Sequence, residues 1–302
     1  MNKQKKIVGV IVIIILILAT VQILNREWVK MTDVRDDAIT FQNGDVTLAG
    51  NLWIPAGDGP FPAIVLIHGA GKITSQDYNY LSFFFVQHGF ATLTYDKRGV
   101  GESSGSYKRV DVKNGEAVLE DLSNDAVAGV EFLKCHDRID PNRIGLFGVS
   151  QGGWIAPLAA SKSSDIAFIV LYSGPVSTVG QEMFYSGTTG AGPGDKVEGI
   201  SLKQASDMAS DYAGPHGFDP LPSLEAIDIP GLWMFFSQDR SIPAALSVEN
   251  LDTLVTQQDK EFSYIIYPNA DHSLRDVNTE QFFPAMSDAL NWIIELDINL
   301  EK

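Results

Sequence analysis

The segments AIVLIHG (63–69), FATLTYD (90–96), RIGLFGVS (143–150), IAFIVLYSG (166–174), GLWMFFSQD (231–239) and EFSYIIYPN (261–269) are apolar runs that lack polar–apolar alternation. A strand apolar on both faces has to be covered on both faces, which is the situation of a central strand in a parallel sheet. Between these runs lie helix-length stretches, including YLSFFFVQHG (80–89), EAVLEDLSNDAVAGVEFLKC (116–135) and WIAPLAASK (154–162). Strand–helix alternation of this kind predicts an α/β domain with a doubly wound, mostly parallel sheet, and places chemistry at the C-terminal ends of the strands. Ahead of it, residues 39–57 alternate around Asn43-Gly44, the signal of a β-hairpin.

The rhythm breaks between Pro175 and Asp228. No strand pattern occurs there, SGTTGAGPGD is rich in glycine and threonine, and VEGISLKQASDMASDY spaces Val197, Ile200, Met208 and Tyr212 as a helix would. An excursion of about 50 residues between two sheet strands is too long for an ordinary connection, so a small cap insertion is expected at about 176–228. The α/β domain is expected to run from residue 39 to 302.

The N-terminus has a different character. A basic start (residues 1–6) carries three lysines, and an uncharged stretch from Ile7 to Leu24 follows. As a helix that stretch is about 27 Å long, near the thickness of a bilayer's hydrocarbon core. It reads as a transmembrane anchor, with a cleaved signal segment as the competing reading. No small-x-small cleavage site or lipobox cysteine follows it, which favours the anchor. Lysines before the span outweigh Arg26 and Lys30 after it, so the body is expected on the extracytoplasmic side, beyond a charged tether at 25–38.

Lys and Arg number 22 against 38 Asp and Glu, a net charge of −16. Such a surface repels nucleic acid. Cys135 is the only cysteine, which excludes an intrachain disulfide and a cysteine-based metal cluster, and no His/carboxylate spacing implies a metal.

G-x-S-x-G occurs twice, at Gly101–Gly105 and at Gly148–Gly152. Ser103 sits in a glycine-rich loop with no apolar run on either side. Ser150 directly follows the run RIGLFG and opens the helix-like QGGWIAPLAA. Strand, sharp turn and helix in that order push a serine out above the sheet edge, with small neighbours at Gly148 and Gly152. Ser150 is therefore the candidate nucleophile. A serine needs a base and the base an orienter, both from later strand ends. Asp239 follows the run 231–239, and His272 lies in the loop after the last run; Asp271 and Asp276 are alternative acids poorly placed to reach His272 from behind. Backbone N–H groups of Ala70, in HGAG, and Gln151 would complete an oxyanion hole. The His68 side chain reads as structural.

HGAG, YDKRGVGESSG, GVSQGG and the SQDRSIP/NADHSL pair, in this order, make the chain resemble the α/β-hydrolase superfamily from about Ile39 to its end. Within it, YDKRGVGES, the approach DRIDPNRIGLFGVSQGG and the small cap are similar to bacterial carboxylesterases that border on serine aminopeptidases and acyl-CoA thioesterases. The resemblance implies a serine hydrolase without a cofactor, acting on a small acyl ester through Ser150, His272 and Asp239. It also implies that Asp96 and Arg98 brace the oxyanion loop. A serine peptidase would need an acidic anchor for a substrate amine, for which Glu182, Asp195 and Glu198 in the cap are candidates. Phe184, Tyr185, Met208 and Tyr212 hint at an apolar acyl pocket. The remote alternative is an inactive membrane-tethered binding module.

Overall fold

The structure, a computed structural model, describes residues 35–300. The expected anchor at 7–24, the basic start and most of the tether lie outside the described residues. Among the described residues no helix is long and apolar enough to cross a membrane. The tether ends earlier than its expected limit at residue 38, because β1 (Arg35–Asn43) pairs antiparallel with β2 (Val46–Ile54) from Arg35 onward. Asp36 and Asp37 are exposed on this sheet edge, where charge is tolerated, and Asn51 donates a 2.8 Å hydrogen bond to Asp36. Gly44, at φ 55°, forms the turn.

The eight-stranded sheet has the order β1-β2-β4-β3-β5-β6-β7-β8. It continues through β3 (Phe61–Ile67), β4 (Ala91–Tyr95), β5 (Ile139–Val149), β6 (Phe168–Tyr172), β7 (Gly231–Phe236) and β8 (Phe262–Tyr267). From β4 across to β8 every pairing is parallel, while the hairpin joins β4 antiparallel through β2.

Side-chain alternation explains why the central strands read as continuous apolar runs. Val65 and Ile67 of β3, Leu146 of β5, Ile169 and Leu171 of β6, and Trp233 and Phe235 of β7 face one core. That core is closed by α2 (Gly115–Lys134), α3 (Gly152–Ala160) and α7 (Ala244–Gln258). Their neighbours Ile64, Leu66, Phe147, Phe168, Val170, Leu232, Met234 and Phe236 face the opposite core, closed by α1 (Asn79–Gln87) and α8 (Ala285–Leu300). Each of these buried side chains contributes about 1.5–3 kcal/mol of transfer free energy.

The excursion between β6 and β7 carries α4 (Val179–Thr189), α5 (Leu202–Ser210) and α6 (Leu221–Ala226). Capping boxes start α4 at Thr178 with Gln181 and α5 at Ser201 with Gln204. Polar bonds fasten this cap to the strand ends. Trp154 Nε1 donates to the Ser177 carbonyl at 2.8 Å, and Tyr185 Oη to the Asp239 carbonyl at 2.7 Å.

Candidate active site

Ser150 stands where β5 gives way to α3, with φ at 50°. Non-glycine residues rarely adopt this left-handed conformation, and it is held here by packing. The Ser150 N–H donates to the Tyr172 carbonyl of β6, and its carbonyl accepts from Gly153, each at 2.8 Å. The glycines around it are required by close approach. A Cβ at Gly148 would lie 2.8 Å from the Gly152 carbonyl oxygen, and one at Gly152 would lie 3.1 Å from that of Ile67. Gln151 caps α3, so its N–H is among those that a helix start leaves without an intrahelical partner.

The expected base and its orienter come from the loops after β8 and β7. His272 Nδ1 meets Asp239 Oδ2 at 2.7 Å. Asp239 is 2 % exposed, and its other oxygen accepts the N–H groups of Ser241 and Ile242 at 2.7 and 3.0 Å. Burial presses the His272 pKa down, but the Asp239 hydrogen bond and charge, helped by Glu182 and Asp271, outweigh it and leave it above 6.5. Asp271 and Asp276 cap turns: Asp271 accepts from Ser273 and Arg275, and Asp276 from Asn278 and Thr279.

Ser150, Gln151, Ala70 and His272 line one cavity of about 700 Å³. Its apolar wall includes Ile73, Val110, Val149, Trp154, Val179, Met183 and Ile242. The cap aromatics expected to form an acyl pocket do not line it. Phe184 packs tilted against Tyr212 with ring centroids 5.1 Å apart, Tyr185 is buried in the cap core, and Met208 is 42 % exposed. Of the expected amine anchors only Glu182 lines the cavity; Asp195 and Glu198 are exposed. Burial pushes the Glu182 pKa up to about 7, against the pull of Ser186 and His272.

The expected oxyanion loop packs directly on Ser150, since a Cβ at Gly69 would lie 3.7 Å from Ser150 Cβ. Tyr78 Oη accepts the Gly69 N–H at 2.8 Å. His68, fully buried, touches the Tyr95 carbonyl through Nε2, and burial followed by the Lys97 charge lowers its pKa to about 3, so the ring is neutral. Asp96 accepts the N–H groups of Ser75 and Glu102, at 2.7 and 2.8 Å, and so ties the segment after the oxyanion loop to the glycine-rich loop. Arg98 departs from expectation. Its guanidinium turns away to α2, where it is bidentate to Asp125 and also bonds the Asp121 carbonyl. Ser103, of the second G-x-S-x-G, donates to the Asp96 carbonyl and accepts from Ala49 of β2, which makes it a loop fastener.

The residue between Asp96 and Arg98 was not singled out from sequence. Lys97 is 2 % exposed and sends Nζ to the Gly69 carbonyl at 2.5 Å and to Gln151 Oε1 at 3.2 Å. It stands two residues past the end of β4, after Asp96, and nothing local in the sequence marks it as turning inward.

The family described as X-Pro dipeptidyl-peptidase (S15 family) matches residues 43–228. The chain belongs to the S15 family, within the α/β-hydrolase superfamily. The S15 match includes the oxyanion loop and Ser150 and ends before Asp239 and His272. The quorum-quenching protein AidA of Acinetobacter baumannii is 29% identical over 133 residues, covering 44% of this chain and 41% of that protein. Esterase EstD of Thermotoga maritima is 31% identical over 137 residues, covering 42% and 31%. The chain thus spans less than half the length of these curated relatives. A putative dienelactone hydrolase from Klebsiella pneumoniae shares the fold, with a TM-score of 0.61 at 16% identity over 86% of this chain and 98% of that one.

Proposed function

We propose that this hydrolase cleaves carboxylic esters of small acyl groups through an acyl-enzyme on Ser150. The observation that carries this reading is the His272–Asp239 pair, facing the same cavity as a serine held at φ 50° beside an oxyanion loop. Asp239 fixes the proton on His272 Nδ1, which leaves Nε2 free to take the Ser150 proton as Oγ attacks the ester carbonyl. The Ala70 and Gln151 N–H groups receive the developing oxyanion. His272 then protonates the departing alkoxide, and water, activated by the same imidazole, releases the acid. The apolar wall suits an acyl chain.

Glu182 favours a second reading, a peptidase that anchors a substrate's free amine. Burial raises its pKa to about 7, so ionising it to hold an amine costs free energy, and this favours the ester. The S15 description fits the peptidase reading and the name of EstD the ester reading.

The test is hydrolysis of p-nitrophenyl esters from acetate to palmitate, of an acyl-CoA, and of aminoacyl p-nitroanilides, each with Ser150→Ala as control. Ester turnover that vanishes in the variant is expected. Anilide turnover without ester turnover would replace the ester reading by the peptidase one. Residues 7–24 are proposed to anchor the protein with its body outside the cytoplasm; recovery of the intact chain in the carbonate-washed membrane fraction is the expected result.

A further inference from the structure

Lys97 is a buried cation with no carboxylate on it among the described residues. Its ammonium is satisfied by the Gly69 carbonyl and the Gln151 side chain alone. Asp96, next in the chain, is committed to the Ser75 and Glu102 N–H groups, and Arg98 holds Asp125. Burying an ammonium without a counter-ion is costly, and a methionine, one atom shorter, would fill most of the space without that cost. The charge therefore calls for a reason beyond packing.

The reason lies in the covalent structure of the peptide it touches. The Gly69 carbonyl and the Ala70 N–H belong to one peptide group, and that group is trans, since the one cis bond among the described residues is Gly59-Pro60. In a trans peptide the C=O and N–H point in opposite directions. A cation holding the carbonyl on the buried side therefore aims the N–H at the opposite side, where Ala70 lines the cavity. The cation also draws density through the amide resonance and makes the N–H a stronger donor. The second bond of Lys97 reaches Gln151, whose backbone N–H is the other oxyanion donor.

We propose that Lys97 is the positioning residue of the oxyanion hole: its charge, carried through the Gly69–Ala70 peptide and the Gln151 side chain, strengthens and aims both donors. This rests on the ester-hydrolase reading of Ser150. Because the oxyanion forms only in the transition state, the effect falls on kcat rather than KM. Burial also lowers the Lys97 pKa to about 8, so the charge is present below that pH and fades above it. The groups around it do not mask this change. His68 on the β3 side is neutral, Tyr78 is pushed above the normal tyrosine range by burial, and Arg98 stays charged. Asp77 in the turn before α1, whose pKa is lowered chiefly by its hydrogen bonds to Thr74, stays ionised, and Tyr107, Lys108 and Asp121 share a small crevice with Lys97.

The experiment compares wild type with Lys97→Met on a short p-nitrophenyl ester from pH 5.5 to 10, with circular dichroism and melting as checks of folding. Expected is a folded variant whose kcat falls about 10- to 100-fold, somewhat less than for loss of a donor outright, with KM within about threefold. Wild-type kcat should also decline above about pH 8, and the variant's should not. A folded variant with wild-type kcat, or one in which KM alone changes, overturns the proposal. If that variant does not fold, Lys97→Gln, which keeps a neutral donor, is read by the same criteria: a kcat loss with KM within about threefold upholds the proposal, and wild-type kcat overturns it. A wild type that turns over no ester and whose Ser150 is not labelled by a fluorophosphonate overturns the underlying reading instead, and this proposal with it.

Discussion

His272 Nδ1 and Asp239 Oδ2 are 2.7 Å apart, and the second Asp239 oxygen is already held by two backbone N–H groups. The carboxylate is thus fixed by the chain before it meets the imidazole. Asp239→Asn keeps its amide oxygen on the Ser241 and Ile242 N–H groups and turns its NH₂ toward His272. The imidazole must then carry its proton on Nε2, facing Ser150, which is the wrong tautomer for a base. A fall in kcat of about 10³–10⁴ is expected in a protein that still folds. A fall below tenfold in steady-state ester hydrolysis would show that another group is the base.

The same pair sets the pH response. The His272 pKa lies above 6.5 because the Asp239 bond and charge outweigh burial. The acid limb of kcat/KM is therefore expected above pH 6.5, and residual activity in Asp239→Asn should show it moved to lower pH. For stability, a raised folded pKa means that the contribution is fully present below 6.5 and is lost as pH rises through the folded value. The melting difference between wild type and His272→Ala should accordingly be larger at pH 5.5 than at pH 9; a difference independent of pH would contradict the raised pKa.

The sheet was legible because both of its faces are covered: Ile64 and Leu66 go to one core, Val65 and Ile67 to the other, and no polar residue interrupts the run. The start of β1 was not, since Arg35, Asp36 and Asp37 read as a charged linker and acquire strand pairing only from their β2 partners. Helix α4 was hidden by Gly180, Gly187 and a run of hydroxyl residues, with the Thr178–Gln181 capping box as its one local mark. Ser150, Asp239, His272, Ala70 and Gln151 could be picked from their places at strand ends. The directions of neighbouring charges could not. Asp96, Lys97 and Arg98 are consecutive, yet they reach the glycine-rich loop, the oxyanion loop and α2 respectively, and only tertiary packing decides among these.

Backbone strain at the nucleophile separates two inactive variants. Ser150→Ala keeps a side chain at φ 50°, whereas Ser150→Gly relieves it. Both should abolish turnover, and the glycine variant should be the more stable by up to about 1 kcal/mol. Equal or reversed order in denaturant titration would show that the turn is not strained.

The tight approach behind the nucleophile gives a packing test. At Gly148 an added methyl meets backbone, the Gly152 carbonyl at 2.8 Å, and backbone cannot rotate aside as a side chain can. Gly148→Ala has to push the first turn of α3 away from β5, carrying the Gln151 N–H with it. A stability loss of about 1–3 kcal/mol is expected, with kcat reduced more than KM. The control is Gly199→Ala in the cap, where nothing lies within 4 Å of the new Cβ; its positive φ costs stability without touching the site. Wild-type kcat in a folded Gly148→Ala protein would mean that the turn gives way without consequence.

Glu182 combines a stability effect with a chemical one. It lines the cavity, and burial raises its pKa to about 7 from 4.5. Below 4.5 it is protonated in both the folded and unfolded chain and affects stability little. Between 4.5 and 7 the unfolded chain ionises freely while the folded one resists, so stability falls as pH rises and stays reduced above 7. Glu182→Gln removes that cost, and its melting temperature should exceed the wild type's by a few degrees at pH 8.5 and match it at pH 4. The same substitution removes a negative charge from the surroundings of His272, so the acid limb of ester hydrolysis should move to lower pH. If instead the substrate is an amine held by Glu182, the KM for an aminoacyl anilide should rise in the variant while ester kinetics change little. A variant no more stable than wild type at pH 8.5, with an unmoved acid limb, would show that Glu182 is ionised without cost and remote in effect from the base.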